Sequence, residues 1–88
     1  MKLVYPCVLI PEKVGGYSVI FPDIGGGTQG ETLYEALEMA EDMANFMVST
    51  APEDGAEIPT PTPLEKVEVP EGAILTLIRV DTDAYKNA

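Results

Sequence analysis

The sequence predicts an α+β domain: a small, mainly antiparallel sheet with one long helix packed on one face. Three features carry that expectation. Apolar, β-rich segments at 3–10 and 17–21 flank a paired-glycine turn, residues 32–50 show helical periodicity, and 73–80 form a short apolar run.

The first strand occupies 3–10 and ends at Pro11. Pro6 offers no amide, which argues for a sheet edge or a locally irregular strand. Gly15 and Gly16 suit a hairpin turn. In the second strand, Tyr17, Val19 and Phe21 share one face, and Ser18 and Ile20 the other. Residues 24–30 are a glycine-rich turn with room for a short third strand around 27–29.

Thr32 is a helix cap, and Glu35 three residues on completes a capping box. Leu33, Leu37, Ala40, Ala44 and Met47 recur at three- and four-residue steps and draw one apolar stripe. Glu35, Glu38, Asp42 and Asn45 mark the wet side, and the helix should end near Thr50, before Pro52. Met39, Met43 and Phe46 widen the apolar arc to around half the circumference, at about 100° per residue. Two readings follow: the sheet curls around the helix, or these three residues form a dimer interface.

Residues 51–63 are a proline-dense polar loop ending in Pro59-Thr60-Pro61-Thr62-Pro63, a stiff extended connector. Residues 65–69 alternate charged and apolar side chains and suit an edge strand. The run 73–80 is apolar on both faces, which predicts a strand inside the sheet. Residues 81–86 begin a second helix, capped by Asp81 or Thr82.

The 88 residues make one domain, and 45% apolar content is enough for one core. Fifteen acidic residues against five basic ones give a net charge of −10, with no histidine. Such an excess repels phosphate backbones and attracts basic proteins. One cysteine, Cys7, leaves no internal disulfide and no cysteine–histidine metal cluster. No signal peptide or membrane-length segment is visible, so a cytoplasmic location is the default expectation.

Catalytic chemistry finds little support. Residues 25–32 fit the phosphate-loop pattern G-x-x-x-x-G-K-[ST] except that Glu31 stands at the lysine position. A carboxylate there repels the phosphates that the lysine would hold. No histidine is present to activate Ser18, Ser49 or Cys7. Asp23 and Glu31 flank the glycine turn and could share a divalent cation in a nuclease. In so acidic a chain a chance pairing is the simpler account, so neither a metal nor another cofactor is expected.

Gly16-Tyr17-Ser18-Val19-Ile20-Phe21-Pro22-Asp23-Ile24, then Gly27-Thr28-Gln29-Gly30-Glu31-Thr32 and Glu35-Ala36-Leu37, closely resemble the HicB antitoxin family. Tyr5-Pro6-Cys7-Val8 is similar to its opening, Ile58-Pro59 with Pro61 to its connector, and Val80-Asp81 with Asp83-Ala84-Tyr85 to its closing segment. The resemblance implies a partial ribonuclease-H-like fold ordered β-β-β-α-β. It also implies an antitoxin of a type II toxin–antitoxin pair, whose HicA-like toxin is a small basic domain that cleaves messenger RNA. The antitoxin would cover that active site without catalysis of its own.

Family members usually continue into a DNA-binding domain, for which the residues after Tyr85 are too few here. A single toxin-neutralising domain over 1–88, with no nucleic-acid contact of its own, is therefore expected. Gly25-Gly26-Gly27 replaces the family's proline-glycine-cysteine turn, which loosens this loop. The partner-binding surface is expected at Tyr17, Asp23, Thr28, Gln29 and Glu31, with Glu53, Asp54 and Glu57 as a second acidic group. Self-association as a dimer or higher oligomer is also expected.

Overall fold

A computed structural model describes residues 1–86. Four strands, β1 (Lys2–Pro11), β2 (Tyr17–Ile20), β3 (Gly27–Gly30) and β4 (Ile74–Asp81), form one antiparallel sheet in the order β3-β2-β1-β4. Helix α1 (Leu33–Thr50) lies across one face, and a short α2 (Thr82–Lys86) follows β4. No described helix is long and apolar enough to cross a membrane.

The opening hairpin is as expected. Gly15 and Gly16 take the positive φ that its turn requires, and the Glu12 amide donates to the Gly16 carbonyl at 3.0 Å. That bond fixes the parity of β1: even-numbered amides face β2 and odd ones face β4. The nitrogen of Pro6 therefore points toward β2, but pairing with β2 stops at Val8. Pro6 forfeits no ladder bond, and β1 is an interior strand rather than an edge.

The last strand departs from expectation in the opposite sense. β4 sits at the rim, next to β1 alone. Its apolar residues do face two ways, but only Ile78 and Val80 are buried under α1, while Leu75 and Leu77 lie on the open face. Residues 65–69 form no strand. A 3-10 turn at Leu64–Lys66 stands there instead, in a segment bracketed by Pro63 and Pro70, which cannot donate to a ladder.

Tyr5, Cys7, Leu9, Val19, Phe21, Ile24, Ile78 and Val80 from the sheet side meet Ala36, Ala40, Ala44 and Val48 of α1. Of the expected stripe Ala40 and Ala44 are buried, but the line continues through Ala36 and Val48 rather than through Leu33 and Met47, because small side chains permit the closest approach. Leu33 and Met47 are left at its border, well exposed, and Leu37 is half-buried. Gly30 at the end of β3 tightens the same contact: a Cβ there would lie 2.3 Å from the Ala36 amide nitrogen. Gly30→Ala should lower unfolding free energy by about 1–3 kcal/mol, read as a lower urea midpoint.

Asn45 was expected on the wet side but clamps α1 to the rim strand. Its Nδ2 donates to the Arg79 carbonyl at 3.2 Å, and its Oδ1 accepts from the Asp81 amide at 3.1 Å. α2 is capped by Asp81, whose Oδ1 accepts from the Asp83 and Ala84 amides. The N-terminal ammonium closes this end of the molecule on Thr82 Oγ1 and Asp83.

Burial pushes the Cys7 thiol from 9.0 up to about 11. The folded state holds this proton more tightly than the unfolded chain, so the associated stability is complete below pH 9 and lost as pH rises toward 11. Stability measured by urea denaturation should fall across that window, and Cys7→Ala should flatten the decline.

Candidate partner-binding surface

The expected site residues fall into two separate groups. Tyr17 is half-buried and packs against the core, Thr28 is half-buried on β3, and Gln29 and Glu31 are exposed. Glu53, Asp54 and Glu57 follow the far end of α1, with Glu53 and Asp54 on a 3-10 turn at Ala51–Asp54. The helix between the groups has 18 residues, about 27 Å at 1.5 Å per residue. They cannot act as one pocket.

Asp23 serves a structural purpose. Its carboxylate accepts from both the Thr62 amide, at 2.9 Å, and the Thr62 hydroxyl. Nearby, the Tyr5 hydroxyl donates to the Pro59 carbonyl at 2.6 Å. Together these bonds pin the proline loop against the β1–β2 end of the sheet. Desolvation, and secondarily the Asp23 charge, raise the Tyr5 phenol above its ordinary value. Among the described residues, no group of three or more acidic or cysteine side chains is arranged to hold a metal ion.

The helix start follows the predicted cap with one difference. The Glu35 amide donates to Thr32 Oγ1 at 3.0 Å, while the Glu35 carboxylate reaches past Thr32 to the Glu31 amide at 2.9 Å. The side chain of Glu31 remains exposed at the head of the helix.

The outer face of α1 is where sequence reasoning stopped short. Glu35, Glu38, Met39, Asp42 and Phe46 are all exposed and fall within an arc of roughly 100° at about 100° per residue. Glu41 adds a further carboxylate on the β4 side. The helix carries no lysine or arginine. Of the three apolar residues expected at a dimer contact, Met43 instead packs partly against the core, and Met39 and Phe46 stand among the acids. The available signal was the absence of a basic partner three or four residues from any helix acid.

Phe46 also meets Tyr85 of α2 edge-on, with ring centroids 6.4 Å apart and planes at 72°. A shallow groove beside these rings is lined by both of them together with Glu41, Asp42 and Asp81. Aromatic rings and carboxylates lining one groove suit a lysine or arginine side chain. Among the described residues the ion pair present joins the N-terminal ammonium to Asp83, so the helix acids are not neutralised from within.

Replacing Asp23 by Ala should strand the Thr62 amide and cost about 1–3 kcal/mol. Amide exchange should accelerate specifically across 58–63 while α1 and β1 keep their protection.

A family model described as the HicB-like antitoxin of bacterial toxin–antitoxin systems matches residues 5–88. Antitoxin HicB 1 of Photorhabdus laumondii subsp. laumondii is 46% identical over 69 residues, covering 75% of this chain and 44% of that protein. The antitoxin HicB of Burkholderia pseudomallei superposes with a TM-score of 0.74 at 27% identity, over 86% of this chain and 61% of the other. A chain of the HicA3 and HicB3 toxin–antitoxin complex superposes with a TM-score of 0.69 at 27% identity, over 90% and 99% respectively. The chain spans about half the length of the curated relatives it matches. On sequence and on fold, it belongs to the HicB-like antitoxin family.

Proposed function

We propose that this chain is the toxin-neutralising part of a type II antitoxin, and that it binds a basic HicA-like toxin and covers its active site. Family membership supports the toxin–antitoxin role. The observation that carries the mode of binding is the outer face of α1, where carboxylates stand exposed with no cationic neighbour on the helix. A cationic surface that would otherwise hold RNA phosphates finds carboxylates there at protein-surface spacing.

Glu35, Glu38 and Asp42 supply charge in this reading, and Met39 and Phe46 supply apolar contact between them. Glu31, Gln29 and Thr28 extend the surface at the head of the helix, with Tyr17 behind them. Glu53, Asp54 and Glu57 extend the field at its foot. Asp23 contributes by bracing the proline loop rather than by touching the toxin. The chain acts in the cytoplasm by occlusion, without cofactor, catalysis or nucleic-acid contact of its own.

Like charges at three- and four-residue spacing weaken a helix, and acids beyond its C-terminus oppose the helix dipole. The fold gains nothing from either feature, whereas a cationic partner gains from both.

The test is the affinity for a HicA-type toxin by isothermal titration calorimetry, at low and high salt. The double variant Glu38→Lys with Asp42→Lys should weaken binding at least tenfold and flatten its salt dependence. Glu68→Lys, outside the proposed surface, should leave both nearly unchanged. Equal affinity for the double variant and the parent would overturn the proposed surface.

A further inference from the structure

The two aromatic rings at the junction of α1 and α2 are left partly uncovered by the fold. Phe46 is 52% exposed and Tyr85 39%, so their edge-on contact leaves part of each ring open to solvent. They line one groove together with Glu41, Asp42, Asn45 and Asp81.

The polar groups of this groove divide into engaged and free. The Asn45 carboxamide is engaged at both ends: it donates to the Glu41 and Arg79 carbonyls and accepts from the Asp81 amide. Oδ1 of Asp81 caps α2. The carboxylates of Glu41 and Asp42 have neither a hydrogen bond nor an ion pair among the described residues.

A further unmet group stands on the same side of the helix. Ser49 follows Phe46 by three residues and Asn45 by four, which places it one turn along in the same row. It is buried, and its hydroxyl has no hydrogen-bond partner among the described residues. Helix α2 packs on this side of α1, and the oxygen remains an acceptor without a donor. Free anionic charge, π surface and an unfilled acceptor thus lie together. All three call for a cation that donates hydrogen bonds.

Arginine meets that description better than lysine. Its guanidinium is planar, weakly hydrated and able to stack on aromatic rings, and its donors fork onto carboxylates. The lysine ammonium is a strongly hydrated point charge and loses more on leaving water. We propose that the groove receives one arginine side chain of the toxin, laid against Phe46 and Tyr85 with its N–H groups on Glu41 and Asp42. That the arginine is the toxin's rests on the antitoxin reading above, whereas the preference for guanidinium rests on the groove itself. The groove adjoins the acidic face of α1 through Asp42 and Phe46, so one cationic partner spans both. Charge along α1 steers the toxin, and the arginine fixes its register.

Two titrations test the assignment. In the first, the chain alone is titrated with N-acetyl-arginine amide and with N-acetyl-lysine amide, and the Asn45 side-chain amide and the Phe46 and Tyr85 ring signals are followed by NMR. Saturable shifts are expected, with the arginine derivative binding about threefold or more tightly than the lysine one. Phe46→Leu and Tyr85→Leu should each remove that preference at unchanged circular dichroism, Glu41→Gln with Asp42→Asn should weaken both derivatives, and Glu68→Lys should change neither. In the second, calorimetry with a HicA-type toxin should show Tyr85→Leu weakening affinity about tenfold with the salt dependence kept, since the ring carries no charge. Shifts that do not saturate, equal binding of the two derivatives, or full toxin affinity in Tyr85→Leu would each overturn the assignment. A parent chain that ignores the toxin yet saturates with the arginine derivative would refute the antitoxin reading while upholding the groove as a guanidinium site.

Discussion

A helix can lie flush on a sheet when the side chains between them are small, and three alanines meet that condition here. Ala36, Ala40 and Ala44 are fully buried at four-residue spacing, and Gly30 lets the end of β3 touch the first turn of the helix. The larger core groups, Tyr5, Leu9, Val19 and Phe21, come from the sheet and its loops. The bulky residues of α1 are consequently left at its margins and on its outer side. Met39, Phe46 and the acids are displayed because the alanines hold the opposite side down.

That arrangement separates the molecule into surfaces of different character. The outer side of α1 is acidic with apolar residues between the charges, and the groove beside α2 has two aromatic rings in its lining. The other side of the sheet exposes Val4, Ile20, Leu75 and Leu77, and its rim has one closed half and one open half. Asn45 joins the two regions: a single side chain both anchors the helix to the sheet and blocks the end of β4. The acidic side suits a cationic toxin.

Much of this was legible in the sequence because local chemistry decides it. Paired glycines, alternation in 17–21 and the Thr32–Glu35 cap each depend on a few neighbouring residues, and each is found. Strand order is a property of the whole chain: β4 was misread, and of the two alternatives for β1 the edge position fails. Pro6 marks an edge only if its nitrogen faces a partner strand, and parity turns it to where β2 has already ended. Apolar residues on both faces of β4 suggest an interior strand, but only the Ile78 and Val80 face is covered by the helix, and Leu75 and Leu77 stay exposed. The helix stripe was right at Ala40 and Ala44 and wrong at its ends, where leucine and methionine outweigh alanine in hydrophobicity but close packing selects Ala36 and Val48.

For the surface proposed here, the sequence indicated the sign of the charge more directly than its place. A net charge of −10 favours basic proteins over phosphate backbones, and the residues singled out in the sequence, at the glycine turn and in the loop after the helix, lie at opposite ends of α1. Asp23 was singled out by its neighbours in the chain, and its bond to Thr62 spans 39 residues, a contact beyond local pattern. The most direct measurement is a side-chain NMR titration of this protein with a HicA-type toxin, following the Glu and Asp carboxyl and Met methyl signals. The account predicts the largest shifts at Glu35, Glu38, Met39 and Asp42. Shifts confined to the β4 rim and the open side of the sheet, with these signals unmoved, would contradict it.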